Sequence, residues 1–292
     1  ARMFLMRTSK YSLAIVPKLR GNNMSKELEE KKSNGITTFD ASILIEDAGV
    51  GQETMSRDDY MIPRLQVLQS LSPQVNKRDG SYVEGAEAGF IYNTVTQEAY
   101  DGEEGIIVVP VSYRRAYIEW KPRGAGGGLV NDHGSDSSIL ASCTRDPESY
   151  RDVTKEGNEI VTTAEYYVYI VDVKTGIFNQ ALLSMTSSQL KKAKRWNSMI
   201  AQLQVPNPNG GTFNPACFWN AYKLTTVPEE NDKGSWFGWQ VDQLYDAQSG
   251  GIIGKIPGGE SIYLAARSFR EQIQSGNVKV SPDSVNETEE NF

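Results

Sequence analysis

The sequence predicts a mainly β fold of the α+β class: a partly closed, five-stranded barrel with extra hairpins and a helix between strand groups. Three observations carry this expectation. Short stretches of alternating apolar and polar residues recur from Pro63 onward, the period-2 pattern of half-buried strands. Turns with glycine separate them, Lys174-Thr175-Gly176 among them. Only two stretches show helical spacing, one between strand groups and one after the last of them. Many short strands with one embedded helix fit a barrel better than a layered α/β fold.

The elements follow in chain order. Residues 1–60 are expected to form a mobile arm. Its first part, 1–23, carries Arg2, Arg7, Lys10, Lys18 and Arg20 without an acid, a composition that loosely resembles an organellar presequence. Met24-Ser25-Lys26-Glu27 reads as a protein start, so residues 1–23 are taken as an upstream extension. The domain is expected over 61–276. Strand texture runs through residues 64–69, parts of 89–96 and 106–113, and continues over 116–120. A glycine-rich turn, Gly124 to Gly128, opens a polar stretch reaching Asn158, read as one long functional or mobile loop. Residues 160–172 and 177–185 form the clearest hairpin. Ser187 or Ser188 is expected to cap a helix reaching about Gln204, stopped by Pro206 and Pro208. Residues 218–226 and 236–242 form a second hairpin-like pair. A last helix over about 260–274 ends at Gly276, and residues 277–292 are left as an acidic tail. An oligonucleotide-binding (OB) type barrel is the architecture this order fits.

Composition excludes several classes. The 292 residues are 39% hydrophobic, enough to bury a sizeable core. No apolar run approaches the roughly 20 residues that span a bilayer, so no membrane partner is expected. The net charge of -7 argues against a generally basic nucleic-acid coat. Two cysteines, Cys143 and Cys217, are too few for a disulfide framework. His133 is the only histidine, which removes a histidine-based zinc site and leaves general-base chemistry on one loop residue. Gly124 to Gly128 lacks the Lys-Ser/Thr of a phosphate loop, and Gly254-Lys255 runs into Ile256. Asn131 to Asp136 lacks calcium-loop spacing. The chain therefore reads as a binder, not an enzyme, with no cofactor and no metal.

What it binds is read from basic and aromatic residues interleaved on strands. In the run from Tyr113 to Arg123, Arg115, Tyr117 and Glu119 share one strand face, while Arg114, Ala116, Ile118 and Trp120 share the other. Lys121 and Arg123 extend the charge. Cations meet phosphates and rings stack on bases, at about 1–3 kcal/mol per base and without sequence preference, which is what single-stranded nucleic acid requires. For any one ring the core is the commoner fate; the segment as a unit reads as a binding strip. Lys191, Lys192, Lys194 and Arg195 lie on the helix after Ser188, with no acid between Ser187 and Gln204 to neutralise them within the helix. A solvated helix face is the ordinary meaning of such a run, but in a net acidic chain this one points to phosphate contact. Among the aromatics near residue 220, Trp219 and Lys223 are the candidates for lining a groove.

The tail carries Asp283, Glu287, Glu289 and Glu290 and ends on Phe292. Repulsion among the acids keeps such a segment extended, and the ring offers one apolar hook for a partner. Glu287-Thr288-Glu289-Glu290-Asn291-Phe292 resembles the acidic terminus, with its final phenylalanine, of the single-stranded DNA-binding proteins of T7-like bacteriophages. The segment from Pro63 to Pro73 is also similar to segments of phage proteins without assigned activity. The resemblance implies an OB-type protein in the cytoplasm of the infected host. It would coat and protect single-stranded DNA in replication, recombination and repair, and form a homodimer. It implies further that the tail competes with DNA and recruits the replicative DNA polymerase and helicase. A strand-annealing recombination protein and a virion or structural interaction protein are the alternatives.

Overall fold

A computed structural model describes residues 45–276, apart from 57, 58, 148, 149 and 233. The chain falls into two compact units, Ala1–Asp59 and Tyr60–Phe292. The described part of the first is a succession of exposed turns. Among its described residues the second contains thirteen strands: β1 Arg64–Val67, β2 Ile91–Asn93, β3 Ala99–Tyr100, β4 Ile106–Trp120, β5 Leu129–Asp132, β6 Thr144–Arg145, β7 Asp152–Val153, β8 Glu159–Val171, β9 Phe178–Thr186, β10 Val205–Pro206, β11 Thr212–Phe213, β12 Tyr222–Asn231 and β13 Gly234–Gln243. Its helices are α1 Leu190–Gln202, α2 Gly251–Lys255 and α3 Gly259–Gln274.

The fold is mainly β, a curled half-barrel with a few helices. Eleven strands share one sheet in the order β13-β12-β4-β8-β9-β1-β2-β3, with β5 added to β4 and the β6–β7 ladder added to β8. The strand count thus exceeds the expected five. Three of the additional strands come from the stretch expected to be one polar loop, residues 129–159, which supplies β5, β6 and β7 as short pairings along the β4–β8 ribbon. The hairpin turning at Gly176 is present as β8 and β9. Gly176 has φ +74°, and a Cβ there would meet the Pro257 carbonyl oxygen at 2.0 Å, so both turn geometry and space demand glycine.

Both faces of the sheet are covered. The inner face buries Leu65, Ile91, Val108, Tyr166, Leu183, Met185, Tyr222 and Trp239, and α1 contributes Ala193 and Trp196 to the same cluster. The outer face packs Val109, Val111, Tyr167, Tyr169 and Leu182 against Ile252 and Ile256 of α2 and its exit and Ile262, Ala266 and Phe269 of α3. Phe269 stacks on Tyr169 at 5.7 Å and meets Tyr167 edge-on at 6.0 Å. Burying side chains of this size stabilises by about 1.5–3 kcal/mol each.

A bulge fixes which residues of β4 face which way. Val109 pairs with Tyr169 and Pro110 with Val168, but Ser112 pairs with Tyr167, leaving Val111 as the extra residue. One added residue reverses the alternation beyond it. Even-numbered Val108 faces inward before the bulge, whereas odd-numbered Tyr113, opposite the inward Tyr166, does so after it.

The free edge of β13 is closed by side chains instead of by a strand. The Gln69 amide accepts from Phe237 N–H at 2.9 Å and donates to its carbonyl at 2.9 Å. The Gln189 Oε1 accepts from Trp239 N–H at 2.9 Å, and Arg195 Nη1 donates to the Val241 carbonyl at 3.2 Å. Alternate residues of an edge strand point their N–H and C=O outward and attract other strands unless covered. Three long polar side chains cover this one.

Two expected elements shift. Helix α1 begins at Leu190, because Ser187–Gln189 form a 3-10 turn that starts from Ser187 at φ 46°, and neither serine caps the helix. Strand β12 begins at Tyr222, since Cys217–Trp219 form a 3-10 turn in place of the expected strand start.

Candidate nucleic-acid interface

Alternation divides the basic strip of β4 between the two sheet faces, and the bulge sets which face each half takes. On the outer face, Arg114 donates through Nη2 to Asp132 at 2.7 Å and through Nε to Glu165, itself only 3% exposed. Burial works against the charge on Arg114, but Glu165, Tyr167 and Asp132 outweigh it and hold the guanidinium charged. A cation so paired has little left for a phosphate. Trp120 lies on the same face, 7% exposed, within a small apolar cluster of Ala116, Ile118, Leu129 and Val161. Tyr117, on the inner face, is 6% exposed. The rings of Tyr117 and Trp120 therefore serve packing, because bulky apolar surface on a paired ribbon is covered wherever β5 and β8 reach it.

Arg115 differs. It is exposed, and the neighbouring Tyr113 and Tyr117 side chains favour its charged form. Tyr113 is exposed as well. Lys121 is exposed just past the strand end. Arg123 opens a 3-10 turn, Arg123–Ala125, and its side chain lies outside the described residues.

The helical cluster divides in the same way. Lys192 forms an ion pair with Glu229 of β12, and Arg195 approaches Asp242 of β13 at 3.8 Å. Glu229 also accepts from Gln189 Nε2 at 2.8 Å and Trp236 Nε1 at 2.8 Å. Burial pushes the Glu229 carboxyl up, but the hydrogen bonds and charge of Lys192, with Gln189 and Trp236, outweigh it and hold the carboxyl below its ordinary value. Lys191 and Lys194 are exposed, and no carboxylate among the described residues forms an ion pair with either.

A row of rings runs from Tyr113 into the core. Tyr113 packs on Tyr166 at 5.0 Å, Tyr166 stacks on Trp196 at 4.2 Å, and Trp196 meets Tyr222 edge-on at 5.5 Å. The Tyr166 hydroxyl lies 2.8 Å from Asn197 Oδ1 and 3.0 Å from the Ala193 carbonyl. The Asn197 side of α1 thus turns toward Tyr113, and Lys194, one turn earlier, lies on that side. Tyr113, Arg115 and Lys194 share the inner-face side of the molecule, with Lys191 next along the helix.

Trp219 and Lys223 do not join them. Trp219 is 9% exposed in its 3-10 turn, where Gly251 lies so close that a Cβ would meet the indole at 2.8 Å. Lys223 is half-buried in β12, opposite Ile107 and Asp242. On the ribbon, His133 Nε2 lies 2.8 Å from Glu119 Oε2, and Asn158 donates to Glu119 Oε1 at 2.7 Å, so the histidine is part of a structural polar network. Burial pushes the Cys217 thiol up to about 11 and raises Cys143 too. Among the described residues no group of three or more His, Cys, Asp or Glu gathers in a way that could hold a metal ion, and no helix is long and apolar enough to cross a membrane. The tail residues Asp283, Glu287, Glu289, Glu290 and Phe292 lie outside the described residues.

Sequence reasoning passed over Tyr113 as a site residue. The signal available was Pro110 inside a strand run, since proline in a sheet interior marks a bulge and the bulge decides that Tyr113 and Arg115 face inward.

Residues 31–279 match the family whose description reads Pam3 phage gp34-like protein. No curated protein and no solved structure matches the chain.

Proposed function

The chain belongs to the Pam3 phage gp34-like protein family and is a phage protein, and we propose that it is a non-enzymatic single-stranded DNA-binding protein. The observation that carries the proposal is a set of exposed cations, Arg115 on the inner face of β4 with the exposed Tyr113 and Lys191 and Lys194 on α1, none of which forms an ion pair among the described residues, in a chain of net charge -7. Of the other basic residues singled out by sequence, Arg114 is neutralised by Glu165 and Asp132 and Lys192 by Glu229, and Arg195 approaches Asp242. Exposed cations and an exposed ring on one side of a sheet suit a backbone-tracking, sequence-tolerant contact.

In this reading the protein coats and protects single strands during phage replication and recombination in the host cytoplasm, acting as a homodimer. Its acidic terminus competes with DNA through Asp283, Glu287, Glu289 and Glu290 and recruits the replicative polymerase and helicase through Phe292. The resemblance of that terminus to those of T7-like phage proteins supports the second part.

The test is a gel-shift series on single-stranded DNA, duplex DNA and RNA, using the full chain and a chain lacking residues 281–292. Salt-sensitive binding to single-stranded DNA, tightened by the truncation, is expected. Absence of single-strand binding by both chains ends the proposal. Preference for RNA would move it to a different substrate.

A further inference from the structure

We infer that Tyr113 is a stacking platform for one nucleobase, an inference that rests on the single-strand-binding reading above. Its ring is 39% exposed, while the ring beneath it, Tyr166, and the next, Trp196, are each 0% exposed. The two buried rings lie 4.2 Å apart and nearly parallel at 22°. Tyr166 is also pinned by its hydroxyl to α1. Tyr113 meets Tyr166 at 5.0 Å with the ring planes tilted by 50°. Contact with a buried, pinned ring holds Tyr113 in place before binding, so less conformational freedom remains to be lost.

The chemistry of the surroundings identifies the occupant. Arg115 shares its face of β4 with the ring, and Lys194 is exposed on α1, the helix that packs on that face of the sheet; both are suited to phosphates flanking a stacked base. An aromatic peptide side chain would gain nothing from them. Tyr150 is more exposed, at 68%, but no ring underlies it among the described residues. Tyr117, Trp120 and Trp219 are buried. Among these aromatic residues, Tyr113 combines exposure, a rigid support and an adjacent positive charge.

Three variants of the full chain, Tyr113→Ala, Tyr113→Leu and Tyr113→Phe, test this on a single-stranded oligonucleotide. The oligonucleotide carries bromouracil for photocrosslinking. Alanine and leucine are expected to weaken binding by between about fivefold and about 150-fold, the loss of one base stack, with the salt dependence unchanged. Leucine keeps apolar bulk on Tyr166, so its failure to rescue separates stacking from support of the core. Phenylalanine is expected to bind like the wild type, and the crosslinked peptide of the wild type is expected to contain Tyr113. Wild-type affinity in both the alanine and leucine variants, alongside intact salt-sensitive binding by the wild type, overturns the stacking role alone. A wild-type chain that binds no single strand overturns the function and the platform together.

Discussion

The salt dependence of binding distinguishes free cations from neutralised ones, and the structure assigns each residue to a group. Lys191 and Lys194 are exposed and form no ion pair among the described residues, whereas Lys192 is held by Glu229. Each single-strand phosphate neutralised releases counterions worth a slope of about -0.7 in log affinity against log salt. Contacts from Arg115, Lys191 and Lys194 therefore give a slope of about -2, so raising salt from about 50 mM to about 200 mM weakens binding roughly 20-fold. The Lys191→Ala/Lys194→Ala chain retains one such contact, and the same change is expected to cost it only roughly 2.5-fold. Lys192→Ala is expected to leave the slope where it was and to lower the melting temperature, since Glu229 then loses its cation. Fluorescence anisotropy with a labelled oligonucleotide at several salt concentrations measures all three. A double variant with the wild-type slope, or a Lys192 variant that lowers it as much, would refute the assignment.

Three further outcomes concern the fold that positions these residues. Gln69→Ala removes two hydrogen bonds to Phe237 at the β13 edge. At about 0.5–1.5 kcal/mol each, and about 2–4 °C per kcal/mol for a domain of this size, a melting temperature lower by about 2–12 °C is expected. Faster hydrogen exchange at the Phe237 amide should accompany it, and unchanged exchange there speaks against the side-chain closure of this edge. Glu229 has a carboxyl pKa below its ordinary value of 4.5, so the stability it contributes is present above that value and is lost as pH falls through the depressed one. Glu229→Gln is expected to flatten the fall of melting temperature with acidification in that window, and identical acid profiles would contradict it. Gly176→Ala places a Cβ against Pro257 at φ +74°. The left-handed conformation alone costs roughly 1–2 kcal/mol, and a chemical denaturation midpoint equal to wild type would show that the turn relaxes freely.

The strand texture, the hairpin over β8 and β9 and the two longer helices were legible because each is set by local sequence: a period, a turn glycine, a proline stop. The faces of β4 were also legible in part. Alternation correctly put Arg115 with Tyr117 and Arg114 with Trp120, because period-2 geometry needs no knowledge of neighbours. Which face looked inward was not legible without recognising the bulge at Val111, and that one residue sends Arg114 to Glu165 and Asp132 and leaves Arg115 free. The helix teaches the same point about charge. From Ser187 to Gln204 there is no acid, and within a helix only residues three or four apart can neutralise each other, so four cations looked available. Glu229 and Asp242 belong to the β12–β13 hairpin, far along the chain, and reach Lys192 and Arg195 only because α1 lies against β13. Local rules establish which residues share a face. Whether a charge on that face is free to meet a phosphate depends on the strand brought beside it by the curl of the sheet, and at Lys191 and Lys194 that curl brings no acid.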